Sequence, residues 1–203
     1  MDFGLDAIIK CMVALFVIMD PLSSLPMFLT LTRKQSARMR QESAVIATGV
    51  AGAVLVVFTL VGPWLMGALS VSMPAFMIAG GILILVISIQ TFLGIEFEKE
   101  EEKEINVAAV VVGVPLLTGP GVMTTSVILA AQYGIGDVFV AATVVVLLTL
   151  GILLLAEPIH KRIGKLGLAV MTKVMAILLA AVAIEFIKLG AQNILVEWAL
   201  IHI

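Results

Sequence analysis

Charge is scarce in this 203-residue chain. Asp, Glu, Lys and Arg make up 13% of it, against about 25% in soluble domains, and the stretch from Ser43 to Ile95 contains none. The single cysteine, Cys11, excludes an internal disulfide and a thiol redox pair. The two histidines, His160 and His202, lie at a loop and at the terminus and have no metal-ligand spacing. The apolar segments hold no serine–histidine pairing and no second aspartate for an acid dyad. No glycine-rich phosphate loop is present, so ATP is not the direct energy source. These absences leave no enzyme chemistry, metal or cofactor to expect, and a net charge of −2 does not point to nucleic acid.

What is there is apolar surface: 62% of the residues are hydrophobic, which places the chain among polytopic membrane proteins. The N-terminal Met1–Asp6 lacks the basic region and cleavage site of a signal peptide, so the first apolar segment is expected to stay in the mature protein. Span one is predicted from about Leu5 to Leu31, ending in a basic loop with Arg33, Lys34, Arg38 and Arg40. The uncharged run supplies spans two and three, joined by a turn around Gly67 to Pro74. Residues 96–104, with six glutamates and two lysines, form a solvated loop. Span four covers Ile105 to about Ala131, Gln132 to Asp137 is a turn, and span five covers Val138 to Ala156. A basic loop with Lys161, Arg162 and Lys165 leads to span six, about Leu168 to Leu195, where Lys173 is placed to snorkel from the end. Glu185 and Lys188 in that span read best as an ion pair at the membrane edge.

One pattern occurs twice: Asp20-Pro21-Leu22-Ser23-Ser24-Leu25-Pro26 in span one and Val114-Pro115-Leu116-Leu117-Thr118-Gly119-Pro120-Gly121 in span four. Two prolines five residues apart remove backbone donors, so neither span can be one uninterrupted helix. A broken helix in lipid is tolerated only where its freed backbone groups are buried in protein or line a cavity. Matching breaks in two halves are the sequence mark of a transporter's substrate site. A passive channel should show a more continuous polar lining than these aliphatic spans provide.

The repeat extends beyond the prolines. Pro21 and Pro26 recur 94 positions on, Pro63 maps to Pro158 at 95, and Gly94 to Gly190 at 96. Residues 1–95 and 105–203 are therefore expected to be two three-helix repeats flanking the 96–104 loop. An odd number of spans per half makes the second enter from the opposite side, giving an all-α fold of six transmembrane helices in inverted-topology repeats with helices 1 and 4 broken. The lysines and arginines cluster after spans one and five, which puts both termini outside and the acidic loop in the cytoplasm.

Proline favours the first position of a helix and Ser or Thr the position just before it, so Ser23 or Ser24 with Pro26, and Thr118 with Pro120, read as starts of second half-helices. Each helix start carries roughly half a positive charge and suits a carboxylate. The carbonyls ending the first half-helices, before Pro21 and Pro115, together with Asp20, suit an ammonium group. Gly119 and Gly121, with Gly80 and Gly81 from span three, leave room for little side chain, although the latter pair serves helix packing equally well. The substrate implied is a small zwitterion. Asp20, with Glu185 as the alternative, is the candidate to couple its movement to protons; sodium held by free carbonyls is the other coupling ion.

Met19-Asp20-Pro21-Leu22…Pro26 with Phe28, Ile78-Ala79-Gly80-Gly81-Ile82-Leu83, Pro115-Leu116 with Gly119-Pro120-Gly121, and an aliphatic last span ending in Gly190 together resemble the MarC family, also called the neutral amino acid transporter family, over nearly the whole chain. The resemblance implies a six-span inner-membrane protein whose relatives carry small neutral amino acids such as glycine and alanine, with protons. The chain departs from the family in having Ser23-Ser24 where Gly-Asn is usual, and Met77 where a basic residue often precedes the span-three glycines. The reading is a proton-coupled secondary transporter for small neutral amino acids of the glycine, alanine and serine type, with a passive channel or an exporter of another small solute as the alternative. Its partners are the substrate and the bilayer, and homo-oligomerisation is compatible with the sequence but not specified by it.

Overall fold

A computed structural model describes residues 4–94 and 119–201 of the chain, and all regular structure among them is helical. In chain order the helices are α1 (Leu5–Met19), α2 (Pro21–Leu31), α3 (Ala37–Ala68), α4 (Met73–Leu93), α5 (Pro120–Tyr133), α6 (Ile135–Leu154) and α7 (Ala156–Ile201). Five segments are long and apolar enough to cross a membrane: Leu5–Leu31 (α1 with α2), α3, α4, α6 and Leu166–Ala199 of α7. The 14-residue α5 extends only about 21 Å, short of the roughly 30 Å hydrocarbon core. The expected first half of span four, and the acidic 96–104 loop, lie outside the described residues.

The helix ends follow local chemistry. Ser36 caps α3 by accepting from the Met39 amide at 3.3 Å, and Ser72 caps α4 from Ala75 at 3.4 Å with Pro74 in the first turn. Gly94 closes α4 in the left-handed conformation, φ 71°. Two turns are tighter than the residue pattern predicts. The expected Gln132–Asp137 turn shrinks to Gly134 at φ 90°, so α6 starts at Ile135 and Asp137 lies in its first turn. The expected basic loop after span five is helical through Lys161 and Arg162, because Gly164, at φ 72°, makes the change of direction alone. Gly164 lies 94 positions beyond Ser70, and both have positive φ, 54° at Ser70.

Helices in lipid gain nothing from removing apolar surface from water when they meet each other, so close packing must hold them together, and small residues permit it. Gly81 sits on the backbone of α7: a Cβ there would lie 2.7 Å from both the Ala183 carbonyl oxygen and Ile187 Cγ1. Gly190 does the same from α7, its Cβ position falling 2.7 Å from the Pro74 carbonyl oxygen and Ile78 Cγ1. At the other end of this pair Lys173 Nζ donates to the Phe92 carbonyl and lies 4.9 Å from that ring's centre. As α4 runs from Pro74 to Phe92 its neighbours on α7 run back from Gly190 to Lys173, so the two helices are antiparallel. Lys173 therefore ties two helix ends together instead of only snorkelling. Between α3 and α6, Gly52 packs on Val146, 94 positions on, at 3.3 Å from its Cβ position to Cγ1. Leu15, Met19, Leu25, Leu55, Met77, Ile84 and Ile128 fill the interior, while Leu60, Leu147 and Ile177 are exposed on the outside, as a lipid-facing belt requires.

Candidate functional site

The break in the first span is a single residue. Asp20 adopts φ 42°, ψ 60°, a left-handed conformation uncommon outside glycine but accessible to Asp. Its amide donates to the Phe16 carbonyl at 3.1 Å and closes α1, while its Oδ1 accepts from the Ser23 amide at 3.2 Å and caps α2. Ser24 donates to the Asp20 carbonyl through both its amide, at 3.3 Å, and its hydroxyl, at 3.0 Å. Asp20 thus ends one half-helix and starts the next.

This corrects the expected start of the second half-helix at Pro26. The helix opens at Pro21, and Ser23 and Ser24 lie in its first turns instead of preceding it. Pro26 is inside α2, where its missing N–H leaves the Leu22 carbonyl without the usual helical donor. Both prolines satisfy the rule for a first helical position. The acid that can cap from a left-handed residue decides between them, and the residue pattern alone ranked serine above it.

At the second motif only the later helix start is described, and it falls at Pro120 as expected. Gly119, φ −58° and ψ 174°, is the N-cap of α5 and Pro120 opens the helix. Gly119 has no side chain with which to cap this start, and Thr118, expected to do so, lies outside the described residues. A Cβ at Gly121 would lie 3.4 Å from Ile18 Cγ2 and 3.1 Å from Ile84 Cγ1. The start of α5 therefore rests against the end of α1, two residues from Asp20. At the far end of α5, Tyr133 is close enough to Lys10 to interact with its charge, so α5 runs antiparallel to α1. The N-termini of α2 and α5 lie in one region and lead away from it in opposite directions.

The two glycines of α4 are divided between two contacts. Gly80 presses on Thr124 of α5, where a Cβ would collide with Thr124 Cγ2, whereas Gly81 faces α7 as described. Gly80 thus shapes the neighbourhood of the α5 start, and Gly81 sets the α4–α7 crossing. Glu185 is not brought to the breaks: its Oε2 pairs with Lys188 Nζ at 2.6 Å on the outer surface, with half of each side chain exposed.

Two hydroxyls single themselves out by what they do not do. The buried Thr32, Thr48, Thr59, Ser88, Ser126 and Thr149 hydroxyls each donate to a carbonyl of their own helix within four residues. Ser23 Oγ and Thr125 Oγ1 are buried without a hydrogen-bond partner. A polar atom buried in this way costs about 1–3 kcal/mol, which asks for a reason. Ser23 flanks the first break, and Thr125, fully buried, stands one turn beyond Gly121 on the same helix face. Thr125 was not among the residues expected from sequence. Its signal was the run Thr124-Thr125-Ser126 just inside a helix start.

A second feature missed from sequence closes the end that carries the basic residues. Arg40 Nη1 pairs with Glu157 Oε1 at 3.1 Å and Nη2 donates to the Thr32 carbonyl at 3.4 Å, joining the end of α2, the start of α3 and the start of α7. The Arg40 side chain is 17% exposed, and beside it lies a cavity of about 70 Å³ lined by Gln41, Leu153, Leu154 and Pro158 among others.

Comparison with known proteins identifies the chain's relatives. The MarC family, described as MarC family integral membrane protein, matches residues 5–195. A UPF0056 membrane protein of Methanocaldococcus jannaschii is 36% identical over 194 residues, covering 90% of this chain and 94% of the relative. One of Archaeoglobus fulgidus is 33% identical over 196 residues, covering 90% and 91%. The UPF0056 membrane protein YhcE of Escherichia coli is 26% identical over 204 residues, covering 95% of each. No solved structure matches. The chain belongs to the MarC family of integral membrane proteins.

Proposed function

We propose that this MarC family protein is a secondary transporter that moves small neutral amino acids across the inner membrane, coupled to protons, without enzyme chemistry of its own. The observation that carries the reading is the meeting of two helix starts within the membrane, Asp20-Pro21 and Gly119-Pro120, beside hydroxyls that have no partner in the protein. Two helix starts offer together about one positive charge, matched to an α-carboxylate. Asp20, the only acid at either break, has one carboxylate oxygen engaged by the Ser23 amide and is the group we assign to the ammonium and to the coupled proton. Gly121, lodged between Ile18 and Ile84, lets the start of α5 come close to the end of α1.

The reading includes six spans in two inverted repeats with both termini outside. Four features support it: the antiparallel α4 and α7, Gly52 against Val146, the positive φ shared by Ser70 and Gly164, and the basic residues gathered at one end. Arg40 with Glu157 then ties the cytoplasmic end shut in this conformation, and alternating access requires that pair to open.

Purified protein in liposomes, offered labelled glycine, alanine, serine and leucine with and without an imposed proton gradient, tests the proposal. The small substrates accumulate above equilibrium under the gradient and leucine does not. Equilibration without accumulation in every case would identify a channel instead. Asp20→Asn keeps the left-handed residue and the cap, so it retains exchange between equal pools and loses gradient-driven accumulation. An Asn variant that still concentrates glycine removes Asp20 from the coupling and leaves sodium at the free carbonyls as the next candidate.

A further inference from the structure

Glu185 and Lys188 stand out once their place in the helix pair is known. Ala183 and Ile187 pack on Gly81, so Glu185 is level with the Gly81 region, eight residues or about 12 Å in from the Met73 end of α4. That depth is within the hydrocarbon core, yet Glu185 and Lys188 each have half of their side chains exposed on the outer surface. Lipid tails cover an apolar face without difficulty, whereas ionisable residues inside a membrane almost always face protein or water.

The pair belongs to a seam. Leu178, Ala181, Glu185, Lys188, Gln192 and Leu195 are all exposed and follow one another at alternating steps of three and four, the spacing at which one helix lays a continuous stripe against a parallel neighbour. The α7 helix also continues past Gly190, which lies against the start of α4, and residues 191–197 are all exposed. Nothing among the described residues packs on this seam.

We propose that a second copy of this chain covers it, α7 against α7. All copies insert into the bilayer the same way, so the two-fold axis lies along the membrane normal and the two helices run parallel. Residue 185 is then level with residue 185 of the partner. In such an isologous contact each residue i that meets j is matched by j meeting i. Glu185 therefore reaches Lys188 of the partner subunit while Lys188 reaches the partner's Glu185, and the two ion pairs become a closed ring of four alternating charges. Ala181, one step before the ring, lets the backbones approach, and Gln192, one step beyond it, adds an amide pair. The acid and base spaced three apart make the surface complementary to itself, which is why the occupant is another copy of the chain.

The test uses single cysteines in a Cys11→Ser background, oxidised in membranes. Ala181→Cys and Gln192→Cys give disulfide-linked dimers, while Val57→Cys, equally exposed on α3, does not. Wild-type protein is dimeric by native mass spectrometry from lipid nanodiscs. Glu185→Lys, which makes the ring uniformly positive, lowers the dimer fraction at least tenfold, and the exchanged double variant Glu185→Lys/Lys188→Glu restores it. A monomeric wild type, cross-linking from position 57 as strong as from 181, or a cross-link from 181 to a cysteine placed within residues 105–118 of the same chain would overturn the proposal. So would a double variant that stays as monomeric as Glu185→Lys.

Discussion

Two stretches with the same proline spacing build their helix starts in different ways. In the first, the helix opens at the earlier proline because Asp20 turns left-handed and caps it with its own carboxylate. In the second, it opens at the later proline, after a glycine, which has no side chain to cap it. The first start is held by the carboxylate of its own N-cap, whereas the described contacts at the second are Gly121 against Ile18 and Ile84, and Thr124 against Gly80. Val114 stands where the first repeat has Asp20, and valine can neither cap nor adopt positive φ at low cost. A repeated motif therefore fixes where a span is interrupted without fixing which residue interrupts it.

The sharpest way to break this comparison is to give the first stretch the second's residue. Asp20→Val loses the cap, worth about 1 kcal/mol, and forces a β-branched residue to positive φ at about 1–3 kcal/mol, so a loss of about 2–4 kcal/mol is expected. Thermal unfolding of the purified protein in detergent measures it. Asp20→Gly, which loses the cap but adopts the conformation freely, should fall clearly between wild type and Asp20→Val. If the Val and Gly variants melt together with wild type, the Asp20 conformation does not hold the first break.

The second comparison variant tests packing. A methyl added by Gly80→Ala meets Thr124 Cγ2, and overfilling a tight contact costs about 1–3 kcal/mol. Thr124→Ser removes that methyl group and keeps the hydroxyl, so the double variant should recover most of the loss. The same two changes should disturb transport, because they act on the first turns of α5, whereas Gly49→Ala on α3, which meets nothing, should leave both stability and uptake unchanged. A Gly80→Ala loss that Thr124→Ser does not relieve would show that α4, and not α5, absorbs the strain.

What was legible in the sequence divides along the same line. Five of the six expected spans are found among the described residues, their extent following from apolar length and the interruption of the first from its prolines, because both depend on local composition. The level of the α5 start followed from Gly119-Pro120. The Pro21 start did not, since it rests on a side-chain bond that competes with an equally allowed proline five residues on. The roles of Gly80 and Gly81 were visible only as a choice between packing and substrate contact, and the structure assigns them different neighbours. The Arg40–Glu157 tie joins residues far apart in the chain and has no local pattern. Glu185 and Lys188 showed their pairing in their spacing, but their depth became apparent only with the register of α7 on α4.

The smallest effect separates binding from stability at the second break. Thr125→Val is nearly isosteric and removes a hydroxyl that is fully buried and without a partner, so the fold should be unchanged or stabilised by about 1 kcal/mol. If that hydroxyl is kept for the substrate, the same change weakens glycine binding by roughly five- to tenfold, since a lost hydrogen bond is worth about 1 kcal/mol. Thr149→Val is the matched control. Its hydroxyl donates to the Val145 carbonyl at 2.8 Å and lies 3.3 Å from Met19 Sδ, so the change should lower stability slightly and leave affinity alone. Opposite signs on the two axes are what a ligand contact predicts, because only a group unsatisfied in the empty protein gains from losing its polarity there. A Thr125→Val variant that binds glycine as wild type does, whatever its stability, would confine the second break to a structural role.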